Sequence, residues 1–353
     1  MCIMTIALGA HEDYPFVLTH NRDEFFARAT TPLCEQGGIL CASDEQSGGT
    51  WLGVNVATGA VAALTNVRAL SSRSRRSRGE LVMRVLAGDA KAATTSNDYS
   101  QYNLVFGTLS KDGAPPSLQL AVSAPPDETP RSRPLPRGNV RPFVATKSND
   151  HGGGMTTARS DPQDACTWPK ATWLCDSVTR ALASDAVQQA KGETGARGVL
   201  LDALEPLVSA RCIQGSPSTA SSAMQLAPHT PLRPADEQQV QAAPFVTPFE
   251  LRPLKGPEAA LGDCSYGTVS QTLLVQCKSE RCLLYGYREM APKRSAADDE
   301  GAAAAGRRGE KRRLGSDGAA DSAVAAGGMR TRRQCAADAA LPPAKWTWRR
   351  VEL

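Results

Sequence analysis

Cys2 follows the initiator methionine, and loss of Met1 would expose it as the terminal residue. A terminal cysteine holds nucleophile and base together, because an α-amine with a pKa near ~8 accepts the thiol proton close to neutral pH. The bland alternative is a lone buried thiol that packs as a small apolar residue. Further along stands His20-Asn21-Arg22-Asp23-Glu24-Phe25-Phe26. Ionisable groups crowded at a strand end are costly to bury unless they are paired. Arg22 beside a thiol would lower its pKa, and Asp23 would orient a terminal ammonium. A surface ion pair capping a turn reads equally well from spacing alone.

These groups meet only if the chain brings them together. Cys2 to Leu8 and Pro15 to Thr19 read as strands, with a turn over His11 to Tyr14. A hairpin there sets Asn21, Arg22 and Asp23 beside Cys2. Further short strands are expected at Thr50 to Val56, Ala60 to Thr65, Tyr102 to Leu109 and Thr268 to Gln276. Helices are expected at Gly79 to Leu86, Pro169 to Ala190 and Ala196 to Val208, where apolar residues recur at three and four. Strands, then helices, then strands favour an α+β layered domain over a doubly wound parallel sheet.

The motifs occur in a specific order: Met1-Cys2-Ile3, Asn21-Arg22-Asp23-Glu24-Phe25, Gly48-Gly49-Thr50-Trp51-Leu52-Gly53, Ala63-Leu64-Thr65-Asn66, Arg78-Gly79-Glu80-Leu81-Val82, Tyr102-Asn103-Leu104 and Tyr266-Gly267-Thr268. Together they resemble the NRDE family, also called the transport and Golgi organisation protein 2 family. Ser148-Asn149 and Trp168-Pro169-Lys170 fit its middle section more loosely. The resemblance implies a four-layer αββα sandwich like that of N-terminal nucleophile hydrolases. It also implies Cys2 as nucleophile, Arg22 and Asp23 as its tuners, and Asn66 and Asn149 as donors to a developing oxyanion. One departure bears on chemistry. The family pattern reads Tyr-Gly-Thr-Arg where this chain has Val269 after Thr268, and an apolar side chain cannot make a charge-assisted contact.

The family's associations imply a role in Golgi organisation and protein secretion, with lipid or haem homeostasis. The alternatives are a cysteine amidohydrolase acting on a small amide or acyl substrate, and a haem or acyl-lipid carrier using the same pocket. The expected location is cytoplasmic, peripheral to Golgi or mitochondria. Two other motifs carry less. His151-Gly152-Gly153-Gly154 resembles an esterase oxyanion loop, but no G-x-S-x-G elbow accompanies it. Gly48, Gly49 and Gly53 surround Trp51 without phosphate-loop spacing, and read as a tight turn with Trp51 in the core.

Composition narrows the remainder. The chain has 353 residues with 40 basic and 36 acidic side chains, a net charge of +4, which excludes a strongly basic nucleic-acid binder. No apolar run reaches the ~20 residues of a membrane helix. Ten cysteines without a C-x-x-C pair suit reduced thiols. Four histidines, none with zinc spacing, leave no metal or cofactor expected. Residues 292–343 hold fifteen alanines and ten Lys and Arg against seven Asp and Glu, so three of the four net charges lie there. That tract reads as a low-complexity, disordered insertion within one domain, formed by 1–291 and 344–353. The reason is that Lys345 to Leu353 alternates like a final strand. Ser71 to Arg78, Pro115 to Pro142 and Gln214 to Gln241 read as enlarged loops.

Overall fold

The computed structural model describes residues 2–67, 76–95, 98–124, 129–138, 141–149, 155–157, 168–211, 240, 242–251, 264–290 and 345–353. The disordered tract expected at 292–343, the loop at 214–241 apart from Val240, and the glycine run from His151 all lie outside these residues. Six strands open the chain: β1 (Ile3–Leu8), β2 (Phe16–Phe25), β3 (Thr30–Gln36), β4 (Ile39–Asp44), β5 (Leu52–Asn55) and β6 (Ala60–Asn66). Helices α1 (Arg78–Leu86) and α2 (Ala92–Thr95) precede β7 (Tyr102–Thr108), β8 (Ser117–Ser123), β9 (Arg131–Pro134), β10 (Phe143–Ser148) and β11 (Thr156–Thr157). Then come α3 (Pro169–Leu182), α4 (Asp185–Gln188), α5 (Gly192–Gly195), a π-helical turn (Ala196–Leu200) and α6 (Leu201–Val208). The chain closes with β12 (Phe249–Leu251), β13 (Cys264–Cys277), β14 (Cys282–Glu289) and β15 (Thr347–Glu352).

Two antiparallel sheets result. The first runs β11-β10-β1-β2-β13-β14-β15, with β12 also pairing β13; the second is the meander β3 to β9 in chain order. Between them, Met4, Ile6, Phe16, Leu18 and Leu274 pack on Leu40, Leu52, Val54, Ala63 and Val105. Leu81, Val82, Val85 and Leu86 of α1 cover the outer face of the second sheet on Cys41, Ala62 and Leu104. Leu174, Val178 and Leu204 of α3 and α6 cover the outer face of the first on Ile3, Val17 and Leu273. The fold is therefore α+β in four layers, helix, sheet, sheet, helix, as expected. β1 lies at the centre of this stack, covered on both faces and flanked on both edges. That position explains why its six residues are all buried and read as one continuous apolar run.

The β1–β2 hairpin forms as the spacing predicts, with Ile3 opposite Asn21 and Leu8 opposite Phe16. The second strand, however, does not stop at Thr19. It continues through Asn21-Arg22-Asp23-Glu24 to Phe25, because β13 pairs with it along its whole length, from Gln276↔Phe16 to Tyr266↔Phe25. Residues that read as a strand end are thus interior strand residues. Two other expectations are corrected. The proline-rich run from Pro115 to Pro142 is not one loop but contains β8 and the exposed edge strand β9, where Pro134 is tolerated because an edge strand leaves amides unused. The helix expected over Pro169 to Ala190 breaks after Leu182 and restarts at Asp185. The final strand is present: β15 pairs antiparallel with β14, Cys282 opposite Glu352.

Candidate functional site

Strand alternation sorts the polar residues of β2 onto two faces. His20 and Arg22 point between the sheets, on the side of Met4 and Leu18. Asn21 and Asp23 point into the helical layer, on the side of Val17. By the hairpin register, Cys2 stands one step beyond the Ile3↔Asn21 pair, level with Arg22. On its other edge β10 continues the register from Ile3↔Ser148, which brings Asn149 level with Cys2 as well. The Ser148 hydroxyl donates to the Cys2 carbonyl at 3.2 Å. Two residues of the second sheet, Thr65 and Asn103, donate to the Ser148 carbonyl at 3.1 and 3.0 Å and clasp the sheets together here.

On the helical side Asn21, Gln271 and Arg288 are matched to one another and to neighbouring groups. The Asn21 amide donates to the carbonyls of Val208 and Pro244, at 2.7 and 2.9 Å, and its oxygen accepts from Gln271 Nε2 at 3.1 Å. Gln271 Oε1 accepts from Arg288 Nε at 2.8 Å, and Arg288 pairs with Glu205 at 2.5 Å while lying over the Trp346 ring. The Asp23 carboxylate accepts from the Thr268 hydroxyl at 2.6 Å and stands 3.9 Å from Lys170 Nζ, both side chains being fully buried.

The inter-sheet side differs. Arg22 lies 4.4 Å over the Trp51 ring and gives Nη2 to Asp44 at 2.8 Å, yet its Nη1 is buried without a hydrogen-bond partner. His20 Nε2 meets the Leu64 carbonyl at 3.0 Å, so Nε2 must carry the proton, and the bare Nδ1 has no hydrogen-bond partner. Desolvation drives the pKa of His20 down to about 4, so the ring is neutral at physiological pH. Thr272, directly opposite His20, has a buried hydroxyl that is also unmatched. Burial opposes ionisation of Asp44, but hydrogen bonds and charge from Arg28, reinforced by Arg22, hold its carboxyl below the usual range.

This side opens into a cleft of about 380 Å³. Cys2, Arg22, Asp23 and Asn66 line it, together with Asp44, Trp51 and the Ser77-Arg78-Gly79 start of α1. Cys2 itself is 7% exposed. Burial pushes its thiol above the ordinary value and the Asp23 charge acts in the same direction, while Arg22 opposes both without reversing them. Of the five residues expected to act, the structure gathers four in the cleft. Asn149 is buried beside Cys2 but does not line it.

The sequence comparisons bear on this arrangement. The family model described as transport and Golgi organisation 2 matches residues 1–288, which include the cleft and both sheets apart from β15 and the end of β14. The chain belongs to the transport and Golgi organisation 2 family. A curated relative from Bos taurus, the transport and Golgi organization protein 2 homolog, is 34% identical over 113 residues. That match spans 28% of this chain and 41% of the relative.

Val269, where the resemblance leads one to expect an arginine, has a definite place in the fold. Thr268 pairs with Asp23 and Ser270 with Arg22, so Val269 is the extra residue of a β-bulge at the step beside Cys2. Arg288, a late and buried arginine, does not substitute for it, because its guanidinium is held in the helical layer by Gln271 and Glu205. Sequence reading missed His20, Thr272 and Arg78. The signal for His20 and Thr272 was their even spacing from Arg22 and Leu274 along two strands. For Arg78 it was the Arg-Gly-Glu start of a helix.

Proposed function

We propose that the cleft is a small-molecule site in which Cys2, once Met1 is removed, attacks an amide or acyl carbonyl. The sulfur–carbon bond would form as the α-amine takes the thiol proton, and that proton would pass to the departing amine when the carbon–nitrogen bond breaks. Asn66, which lines the cleft, would donate to the oxyanion. The observation that carries this reading is the convergence of Cys2, Arg22, Asp23 and Asn66 on one cleft. The four-layer stack with Cys2 leading a central strand is the arrangement expected of an N-terminal nucleophile hydrolase.

Intact-mass analysis combined with iodoacetamide labelling is the test. Loss of Met1 with labelling at Cys2 near neutral pH is the expected result; a retained Met1, or hydrolysis unaffected by Cys2→Ala, would remove the reaction. Val269 favours a second reading, in which the same cleft carries an acyl-lipid or haem without cleaving it. Saturable binding with no turnover would select that reading. For the cell, family membership supports a part in Golgi organisation and protein secretion, at a cytoplasmic location peripheral to Golgi or mitochondria. Altered Golgi morphology on depletion, rescued by the intact chain, is the outcome expected.

A further inference from the structure

The charges around the cleft do not all cancel locally. Arg28 holds Asp44, with Nε at 2.5 Å from one oxygen and Nη2 at 3.2 Å from the other. Arg76 pairs with Glu80 and lies 5.8 Å from the Tyr99 ring centre. Asp23 is matched by Thr268 and Lys170, and Glu24 accepts from the Phe25 amide at 3.0 Å. Arg78 is left over. Its Nη1 donates to the Gln101 carbonyl at 3.2 Å, but among the described residues no carboxylate pairs with it. Desolvation lowers its pKa to about 10 and the Glu24 charge works against that fall, so Arg78 stays cationic at neutral pH. Arg22 adds a second unused donor, Nη1, from a side chain only 5% exposed.

The backbone adds to this surplus. A Cβ built on Gly49 would fall 2.3 Å from the Gly79 carbonyl carbon, and one on Gly79 would fall 3.0 Å from the Thr50 amide nitrogen. Only a pair of glycines lets the first turn of α1 press so closely on the Gly49–Thr50 turn, and that contact sets the helix start into the cleft wall. Ser77, the N-cap, makes no side-chain bond to the helix, so the amides of the first turn lack the usual cap. A helix start presents a partial positive charge and amides that suit an anion.

We infer that Arg78 and the first turn of α1, with Arg22 Nη1 deeper in the same cleft, form an anion seat, and that the ligand of this cleft carries a carboxylate or a phosphate group. The inference rests on reading the cleft as a ligand site, not on Cys2 being a nucleophile. Among the described residues, those of the cleft and the ion-pair partners named above supply five cations (Arg22, Arg28, Arg76, Arg78 and Lys170) against four carboxylates (Asp23, Glu24, Asp44 and Glu80), so a single anion on Arg78 would balance this set.

The test uses the full chain carrying Cys2→Ser, which keeps the cleft but cannot form a thioester. Inorganic phosphate and butyrate are titrated separately at fixed ionic strength. Emission from Trp51, stacked on Arg22, reports occupancy, and Trp51→Phe supplies the blank. Saturable quenching or enhancement by either anion, weakened at least tenfold by Arg78→Gln and less by Arg78→Lys, is the expected result. The anion that responds identifies the head group. Gly79→Ala, which must push the helix start outward, weakens binding as well and serves if Arg78→Gln does not fold. No saturable response to either anion, or equal affinity in Arg78→Gln and the parent, overturns the seat. Failure of the hydrolysis reading would show separately, as anion binding retained in a wild-type chain that cleaves nothing.

Discussion

The two faces of β2 carry polar groups in comparable number and spend them differently. Toward the helices, Asn21, Gln271, Arg288 and Glu205 bond to one another and to the carbonyls of Val208 and Pro244. Toward the second sheet, His20 Nδ1, Arg22 Nη1 and Thr272 Oγ1 lie within a short distance along two paired strands, all buried and all unmatched. Buried polar atoms are nearly always bonded, so an unmatched group marks either a cost carried for function or a place for a ligand. The contrast teaches that the matched face holds the strand in place and the unmatched face is the one that works.

Arg288→Met attacks the matched face and is expected to have the largest effect. It strips Gln271 and Glu205 of their cation, and a loss of about 3–5 kcal/mol should appear as a lower urea midpoint with an unchanged slope. A loss below about 1 kcal/mol would mean that this face is not structural. The second expected effect concerns His20. Its pKa falls from 6.5 in the unfolded chain to about 4 in the folded one, so between those values only the unfolded chain binds the proton. Stability should therefore be intact above pH 6.5 and decline as pH drops through that window, by roughly 3 kcal/mol in all. His20→Gln, which keeps a donor for the Leu64 carbonyl, should flatten that part of the profile. The smallest effect is the most discriminating. Thr272→Val removes a hydroxyl without changing shape, and should leave stability unchanged or raise it by up to about 1 kcal/mol. A loss of about 2 kcal/mol there would show that the hydroxyl is matched after all and would erase the difference between the faces.

The sequence carried the central hairpin clearly, because the turn over His11 to Tyr14 separates two apolar runs. It also carried α1 and the last strand through their periodicities. It misled at Asn21 to Glu24, where four polar residues in a row look like a strand end. Only pairing with β13, and a partner network on one face, makes them interior. β10 was hidden for a similar reason, since Lys147 near its end reads as surface yet is fully buried. The site was partly legible: Cys2, Arg22 and Asp23 followed from hairpin geometry. Arg78 did not, because its role depends on Gly49 and Gly79 meeting across thirty residues of chain, and no local pattern encodes that approach. Val269 was visible as a substitution but not as a bulge, which exists only in the register between two strands.

The pairing of β15 with β14 has a consequence for solubility. β14 is eight residues long and buried along nearly its whole length, a template that would invite another chain if its edge were bare. β15 occupies that edge and turns Arg349, Arg350 and Glu352 to solvent, a charged border that discourages further strand addition. Loss of the residues from Thr347 to Glu352 would bare that edge and leave a sheet that joins to its neighbours.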